Sequence, residues 1–407
     1  MKTKTAIIGG GASGTMAAIS AARSENIVTI FEKNEKLGKK ILITGNGRCN
    51  ITNRTVSHQN YHGTHPKFAS SVLAQFSNTD TIKFFEDLGL ILKEEDEGRL
   101  FPRSNQAQSV VDVLTEELER LGVEVKLNQK IKKVIKQKNK FHITSYQNKK
   151  YIFDKLIIAT GGKSYPKTGS TGDGFRFAES LGHRIIKPFP ASTPLRIKSI
   201  VCNKLQGIKI DATLKIFHND KQISEKTGEL LFTHLGLSAP VVLESSREVS
   251  RILTSNPKAK LECSINLLPE YSFSEIRNIL LKRINDHPER NIGNQFIGIL
   301  PKKVTPTILK HYDIDPLTQS MNISKKTLHR IIEILTDHRE KIIGVLGWDS
   351  AQFTAGGVDI SEIDSKNMQS QLVKGLHFCG EVVDIDGDSG GYNLQWAWSS
   401  GFVAGVS

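Results

Sequence analysis

The first residues whose types and spacing could do chemistry are the glycines of the segment Gly9–Gly14, Gly-Gly-Gly-Ala-Ser-Gly, which follow a short apolar run. Gly9, Gly11 and Gly14 occupy the positions of a GxGxxG pattern. In that pattern the first glycine permits a tight turn, the second admits a diphosphate, and the third lets a helix pack closely on a strand. Backbone N–H groups at the helix start then hold the phosphates. The spacing therefore predicts a dinucleotide site.

The residues after this turn complete a βαβ unit. An Ala-rich helix is predicted over residues 17–24, and a second strand over Ile27–Phe31 ends at Glu32, 18 residues after Gly14. A carboxylate at this position accepts hydrogen bonds from ribose hydroxyls and disfavours a 2′-phosphate. The unit by itself does not distinguish FAD from NAD.

Two further glycine-rich segments are candidates for the same site. Residues 38–53 combine Gly, Asn and Thr with cations, and such a loop can present N–H groups and positive charge to a diphosphate or a flavin edge. Residues 157–174 begin with an apolar strand that runs into Thr160, Gly161 and Gly162, and ligands lie at that end of a strand in a parallel sheet. The alternative for each segment is an ordinary surface loop built from turn residues.

The segment 375–401 predicts a strand, a polar glycine loop and a helix that starts at about Asn393. The N-terminus of that helix would stabilise negative charge on the pyrimidine part of a reduced flavin. Asp384, Asp386 and Asp388 alternate as in a calcium-binding loop, but the coordinating Glu after the glycine is missing. We therefore predict no metal site.

The elements around these segments predict an α/β fold in which both chain ends build one nucleotide-binding domain. Alternating strands between 123 and 153 indicate a β-meander, and the composition changes near Pro188–Pro194. The predicted domains are residues 1–192 and 344–407 for the nucleotide-binding part and 193–343 for an insert, with a β part at about 193–270 and a helical part at about 271–343.

Composition limits the class of protein. The 407 residues suit two or three domains, and the net charge of +13 suggests anionic partners. The lysines are spread along the chain without an aromatic-interleaved RNA motif, which favours a solvated basic surface over a nucleic-acid site. Apolar runs are far shorter than the roughly 18–20 residues of a membrane span, so we expect a cytoplasmic protein without a membrane partner.

Four cysteines lie far apart, without a CxxC pair or a zinc-ligand spacing. They are interpreted as reduced cytosolic thiols. The alternative is that Cys49 or Cys379, which fall inside the glycine-rich segments, lies near the cofactor.

On the basis of these motifs, the chain resembles the HI0933-like (YhiN-like, BaiN-type) FAD-dependent flavoproteins. The segments that carry the resemblance are spread in order over nearly the whole chain. They are Gly9–Gly14, Gly45–Asn50, Ala159–Gly162 with Tyr165-Pro166, Gly228–Pro240, Thr354–Val358, and Gly380-Glu381 through Gly401.

The resemblance implies a glutathione-reductase-like FAD-binding Rossmann domain with an inserted β-barrel and helical module. It implies FAD, with NAD(P)H as the expected electron donor, and an oxidoreductase that reduces an unsaturated or carbonyl small molecule. The alternative is a flavoprotein that binds or modifies RNA through its basic surface. His234 and Tyr165 are candidate acids, but no catalytic residue is assigned. The implied cofactor-binding residues are Gly9, Gly11, Ala12, Ser13, Gly14, Glu32, Lys33, Lys40, Arg48, Asn50, Ile131, Thr160, Gly161, Gly380, Glu381, Asp388, Asn393 and Leu394.

Overall fold

The computed structural model describes residues 2–407, which divide into two units. Residues 2–190 and 352–407 form the first unit, and residues 191–351 form the second. The first junction lies two residues from the predicted one. The second lies eight residues beyond the predicted 343/344, because the strand that crosses that boundary completes the sheet of the insert.

Among the described residues, the first unit holds fifteen strands and six α-helices, numbered here in chain order over both units. The strands are β1 (Lys4–Ile8), β2 (Ile27–Phe31), β3 (Thr52–Asn53), β4 (Tyr61–His62), β5 (Leu92–Glu95), β6 (Arg99–Pro102), β7 (Glu124–Lys126), β8 (Ile131–Gln137), β9 (Lys140–Ser145), β10 (Lys150–Phe153), β11 (Lys155–Ile158), β12 (Ile185–Ala191), β19 (Phe353–Val358), β20 (Leu376–Phe378) and β21 (Asp386–Gly387). The helices are α1 (Ala12–Arg23), α2 (Phe68–Gln75), α3 (Asn78–Asp87), α4 (Ala107–Arg120), α5 (Asp173–Ser180) and α11 (Tyr392–Val406).

A parallel sheet in the order β20-β11-β1-β2-β7 positions the predicted dinucleotide turn. Ile7 pairs with Ile157 on one side and Ile30 on the other, and all three side chains are fully buried. Such continuous apolar strands are expected in a parallel sheet that is covered on both faces. The carboxyl ends of β1, β2 and β11 therefore bring the turn after Ile8, Glu32 and residues 159–162 to one edge.

The helices α1 and α11 pack closely against each other because small residues line their contact. A Cβ on Gly401 would lie 2.5 Å from the carbonyl oxygen of Ser13, and one on Gly405 would lie 2.5 Å from that of Ala17. Glycine removes these clashes. The chain's last helix is thereby fixed beside its first, although they are far apart in sequence.

Smaller sheets complete the first unit. The three strands β10-β9-β8 form the predicted meander, whereas the segment predicted as its first strand, residues 123–127, forms β7 and pairs parallel with β2 in the main sheet. The other small sheets are β3-β6-β5, β12-β19 and β21-β4.

The second unit has its own apolar core around a closed barrel of six strands. The strand order is β13-β16-β15-β14-β17-β18, so the last strand of the barrel follows the helices in sequence. The helical part predicted at about 271–343 ends in a strand, because the half-buried His338–Val345 closes the barrel. The strands are β13 (Leu195–Ile197), β14 (Lys209–His218), β15 (Lys221–Thr233), β16 (Gly236–Ser238), β17 (Leu261–Asn266) and β18 (His338–Val345), and the helices are α6 (Ile200–Lys204), α7 (Pro240–Ser255), α8 (Phe273–Asp286), α9 (Val304–His311) and α10 (Lys325–Thr336).

Within residues 2–407, no helix has the length and apolar character required to cross a membrane.

Candidate cofactor site

The turn between β1 and α1 leaves a helix N-terminus without a side-chain cap. Gly9 has φ +109°, and a Cβ there would lie 2.4 Å from the carbonyl oxygen of Ala159. A Cβ on Gly14 would lie 1.9 Å from the carbonyl oxygen of Gly9. Gly11 is the N-cap residue of α1 and offers no capping side chain, and its Cβ position has no atom within 4 Å. The first N–H groups of α1 are thus left for an anion, as a dinucleotide diphosphate requires.

Glu32 lies at the end of β2, beside this turn. Its carboxylate accepts hydrogen bonds from the backbone N–H of Gly10 at 2.7 Å and from the backbone N–H of Asn34 at 2.8 Å. The Asn34 side chain also donates to it at 2.8 Å. These contacts fix a buried acceptor at one end of the site, where a ribose would lie.

One cleft runs past both the glycine turn and Glu32. It encloses about 1230 Å³ of empty space, including its mouth, and its walls are mostly apolar. Gln129, Lys130 and Ile131 line the end near Glu32. The other lining residues come from the end of β1 and the glycine turn, from residues 31–34 and 39–44, from residues 159–177, from Gln352 and Phe353, and from residues 381–397. A cleft of this volume with an open helix N-terminus on its wall fits a dinucleotide.

The far part of the cleft meets the N-terminus of α11. Gly391 is the N-cap residue with φ +104°, and it provides no side-chain cap. Asn393 bonds both backbone groups of Gly387, with its Oδ1 accepting at 2.9 Å and its Nδ2 donating at 2.8 Å. Asn393, Leu394 and Ala397 line the cleft. The dipole of this 15-residue helix therefore favours negative charge at this end.

Two ion pairs lie along the cleft walls. Lys33 Nζ lies 2.8 Å from Asp173, and Lys40 Nζ lies 2.7 Å from Glu381. Burial would raise the pKa of Asp173, but Lys33 holds it below its usual range. The cleft is thus bordered by charged groups that already have partners.

Thirteen of the eighteen residues predicted to bind the cofactor line this cleft, and five do not. The thirteen are Gly9, Gly11, Ala12, Ser13, Glu32, Lys33, Lys40, Ile131, Thr160, Gly161, Glu381, Asn393 and Leu394. The five that do not line it are Gly14, Arg48, Asn50, Gly380 and Asp388.

Two of those five pair with other side chains, and the buried side-chain oxygen of a third has no partner in the described part of the chain. Arg48 pairs with Glu95 at 3.0 Å and lies over the ring of Phe101. Asp388 pairs with His62 at 2.7 Å. Asn50 keeps a buried Oδ1 that has no hydrogen-bond partner among residues 2–407.

Gly14 and Gly380 do not line the cleft, but they contact residues that do. Gly14 contacts the turn at Gly9, and Gly380 donates its N–H to Ser400 while its carbonyl accepts from Trp396.

Sequence reasoning missed several residues of the cleft. Gly10 and Asn34 belong to the Glu32 hydrogen-bond group, and their closeness to known motifs was a usable signal. Gln352 and Phe353 stand just after the insert and carry no local pattern, so only the fold brings them here. The remaining unpredicted lining residues are Ile8, Phe31, Lys39, Ile41, Thr44, Gln129, Lys130, Ala159, Thr168, Gly169, Ser170, Asp173, Phe177, Ile385, Trp396 and Ala397.

The candidate acids and thiols lie away from the cleft lining. Tyr165 is not among the lining residues, and His234 is exposed on the turn between β15 and β16 in the second unit. Burial raises the pKa of both Cys49 and Cys379 to about 12, so both remain thiols at neutral pH. Across residues 2–407, no cluster of three His, Cys, Asp or Glu side chains is placed to hold a metal ion.

The model of the HI0933-like protein Rossmann domain matches residues 3–407. The chain belongs to the HI0933-like family. It is 35% identical over 401 residues to a 3-dehydro-bile acid delta(4,6)-reductase of Clostridium scindens, with 98% of this chain and 97% of the relative covered. It is also 33% identical to a ribosomal RNA dihydrouridine synthase of Escherichia coli, with 98% and 96% covered.

A solved structure shares the fold of this HI0933-like chain. The 3-ketosteroid delta1-dehydrogenase of Sterolibacterium denitrificans superposes with a TM-score of 0.52 at 10% identity, over 99% of this chain and 98% of that one. Family and fold together make this protein an FAD-dependent oxidoreductase with a Rossmann-type cofactor domain. The expectation of the family and of its fold class is confirmed.

Proposed function

We propose that the protein is an NAD(P)H-driven reductase that saturates a carbon–carbon double bond conjugated to a carbonyl group in a small-molecule substrate. The observation that carries this proposal is the single cleft that passes the uncapped N-terminus of α1 and reaches the N-terminus of α11. FAD bound there supplies hydride transfer between the donor and the substrate.

The names of the relatives describe one type of bond. A 3-dehydro-bile acid delta(4,6)-reductase acts on double bonds conjugated with a 3-carbonyl group. A dihydrouridine synthase saturates the uracil double bond, which is also conjugated with a carbonyl group. Hydride addition to the β carbon of such a system and protonation of the α carbon give the saturated product, which is a reaction suited to a flavoenzyme.

The chain's own residues bind and orient the cofactor in this proposal. The N–H groups of α1 hold the diphosphate, and Glu32 accepts hydrogen bonds from the adenosine ribose. The N-terminus of α11 stabilises negative charge at the other end, while Phe353, Ile385 and Trp396 exclude water there. The cofactor-binding set is then the thirteen predicted residues that line the cleft, with Gly14 and Gly380 supporting its wall.

The electron donor has no separate domain in the part of the chain that the structure describes. The second unit is a barrel with helices, and the parallel sheet of the first unit carries the turn at Gly9–Gly14. The nicotinamide donor therefore binds transiently at the cofactor cleft. This arrangement predicts a weak complex with the donor rather than a stable one.

Anaerobic mixing tests this proposal. Holoprotein is mixed with NADH and, separately, with NADPH, and the flavin absorbance is followed before a panel of enones and dienones is added. We expect bleaching by one donor and recovery of the absorbance with stoichiometric saturation of an acceptor. If neither donor bleaches the flavin, the proposed donor is wrong, and a flavin-binding sensor without turnover becomes the better description.

The second candidate function is reduction of a uracil base in RNA, and the surface of the meander favours it. Lysines 130, 132, 133, 136, 138, 140, 149 and 150 all lie on or beside β8-β9-β10. Tyr146 is 53% exposed there, and Lys130 lies over its ring. Clustered lysines and an exposed aromatic ring suit a phosphate backbone and an unstacked base.

A salt series distinguishes this candidate. Binding to a ribosomal RNA fragment is measured for the parent, for K132Q/K133Q on the meander, and for K302Q/K303Q in the second unit as the charge-matched control. We expect the meander variant alone to bind more weakly and to lower the salt slope by about 2. Equal effects of both variants, or equal affinity for unrelated RNA, would reduce the interaction to nonspecific attraction.

A further inference from the structure

Residues 360–373, which we call the cover segment, lie along one edge of the parallel sheet. Among the described residues, β20 is the end strand of that sheet, so one side of its backbone needs another partner. The cover segment provides it, because the N–H of Phe378 donates to the carbonyl of Met368 at 3.1 Å and the N–H of Ser370 donates to that of Leu376 at 2.8 Å. The edge of β20 is thereby protected from pairing with another chain.

His183, just after α5, fastens the cover segment. Its side chain is fully buried, with Nδ1 lying 3.0 Å from a carboxylate oxygen of Glu362 and Nε2 lying 2.8 Å from Ser370 Oγ. Ser370 Oγ also accepts hydrogen bonds from the backbone N–H groups of Leu372 at 3.1 Å and Val373 at 2.8 Å. One imidazole ring therefore joins α5 to both halves of the segment.

These hydrogen bonds require a neutral His183. A hydroxyl oxygen has two lone pairs, and backbone N–H groups occupy both of those on Ser370. The Ser370 O–H therefore donates to Nε2, and the Nδ1–H of His183 donates to Glu362. Protonation of Nε2 would place an N–H against an O–H, so the imidazolium cannot keep every bond. The order serine, histidine, carboxylate is that of a hydrolase triad, but Ser370 is buried and its oxygen is enclosed, so the group is a fastening and not a nucleophile.

A second buried histidine holds the same segment from β20. His377 donates its Nδ1–H to the carbonyl of Asn367 at 3.0 Å. Lys155 on the neighbouring strand β11 is the charged group that acts on it, and burial together with this cation lowers the pKa of His377 to about 4. Both histidines that hold the cover segment are thus neutral at pH 7.

The charged groups at His183 act in opposite directions to its burial. Glu362 faces the ring directly, and the next residue, Arg184, is itself paired with Asp359. Burial lowers the pKa of His183, and Glu362 offsets this only in part. The closed segment therefore takes up protons less readily than an open one, so acid favours opening below the ordinary histidine pKa of about 6.5.

We propose that residues 360–373 are an acid-released cover, which stays closed on β20 only while His183 and His377 are neutral. Release uncovers the edge of β20 and loosens the strand that leads to Glu381 in the cleft wall. Each histidine that is neutral in the closed form and protonated in the open form raises the opening equilibrium about tenfold per pH unit below 6.5. That is up to about 30-fold by pH 5.0 for each ring.

Hydrogen exchange of the full-length protein tests this. Protection factors at pH 7.5 and pH 5.0 are compared for a peptide that spans the cover segment and for a reference peptide from α1. In the parent we expect the cover segment to lose at least about tenfold more protection than α1. H183Q keeps an acceptor for the Ser370 hydroxyl but does not titrate in this range, so its loss should be smaller by at least about threefold. H58Q, at an exposed position of the same unit, is the control and should match the parent.

E362Q identifies the group that titrates. Without the carboxylate, the closed form disfavours the imidazolium further, so the loss of protection should equal or exceed the parent's. A pH-independent E362Q would make the carboxylate the sensor and overturn the proposal. An H183Q response equal to the parent's, or an equal loss in α1 and the cover segment, would also overturn it. If H183Q does not fold, H377F decides, because its loss should be reduced as well and a parental response contradicts the proposal.

Discussion

At the scale of single residues, two glycines of the same turn meet different surroundings. The Cβ position of Gly11 is empty and faces the cleft, whereas the Cβ position of Gly14 coincides with the carbonyl oxygen of Gly9. Gly11 therefore leaves room for a ligand, and Gly14 leaves room for the protein's own backbone. One pattern of glycines thus serves both binding and folding.

This difference predicts opposite outcomes for two alanine variants. G11A should keep the unfolding midpoint of the apoprotein and lose FAD affinity, because its methyl group enters the cleft. G14A should destabilise the apoprotein by about 1–3 kcal/mol, because α1 must move away from the turn. Thermal unfolding of both apoproteins and fluorescence titration with FAD test this. Equal stability of the two variants would contradict the contact at Gly14.

His377 is a buried residue that makes the fold sensitive to acid. It is 2% exposed on β20, its Nδ1–H donates to the carbonyl of Asn367 at 3.0 Å, and its Nε2 has no partner among residues 2–407. Burial, together with Lys155, lowers the pKa of His377 to about 4. The folded protein therefore holds this ring neutral at pH values where the unfolded chain protonates it.

The sign of the pH dependence follows from this shift. The contribution of the neutral His377 ring to the free energy of unfolding is fully present above the ordinary histidine pKa of about 6.5. It is lost as the pH falls toward 4, at about 1.4 kcal/mol per pH unit. H377F should flatten the slope of the unfolding free energy between these pH values by up to about 3 kcal/mol in total. Urea unfolding across that range measures it. A variant with the parent's slope would show that His377 is protonated in the folded state.

At the scale of elements, the contact between α1 and α11 holds two helix N-termini at one cleft. Both helices present their N-termini to the cleft, and Gly401 and Gly405 let their backbones approach. The parallel strands carry the glycine turns to the same edge of the sheet. The position of each N-terminus is therefore determined by packing on the side of the helices that faces away from the cofactor.

Substitutions at this contact should affect a site that they do not touch. G401A and G405A each place a methyl group about 2.5 Å from a backbone oxygen of α1, so α11 must shift. We expect each to cost about 1–3 kcal/mol of unfolding free energy and to weaken FAD binding. V406A, at a 44% exposed position of the same helix, should change stability by less than about 0.5 kcal/mol. If G401A retained parental FAD affinity, the helix contact would not control the cleft.

At the scale of the whole molecule, the first unit is assembled from both ends of the chain. The carbonyl of Arg184 accepts a hydrogen bond from the N–H of Asp359, and a Cβ on Gly356 would meet the carbonyl of Lys187. These contacts run in opposite directions along β12 and β19. The points where the chain leaves and re-enters the unit, near residues 190 and 353, therefore lie side by side.

Because these two points are adjacent, a short linker can join them, and we predict that the first unit binds FAD without the insert. Residues 192–351 are replaced by a short Gly/Ser linker, and FAD affinity is measured by fluorescence titration. We expect affinity within about tenfold of the parent, because every residue that lines the cleft belongs to the first unit. The same deletion with G11A should lose FAD. A folded deletion variant that binds no FAD would show that the insert supports the site.

The sequence by itself determined the βαβ turn and the family, because these depend on local spacing and on glycines that a backbone conformation requires. Only the tertiary structure decided which polar residues of the glycine-rich loops face the cleft. Arg48 and Asp388 carry suitable charges, but Glu95 and His62 lie near enough to pair with them. The insert boundary at 351 and the contribution of Gln352 were likewise set by barrel closure. Such choices depend on distances between segments far apart in the chain, which composition and periodicity do not encode.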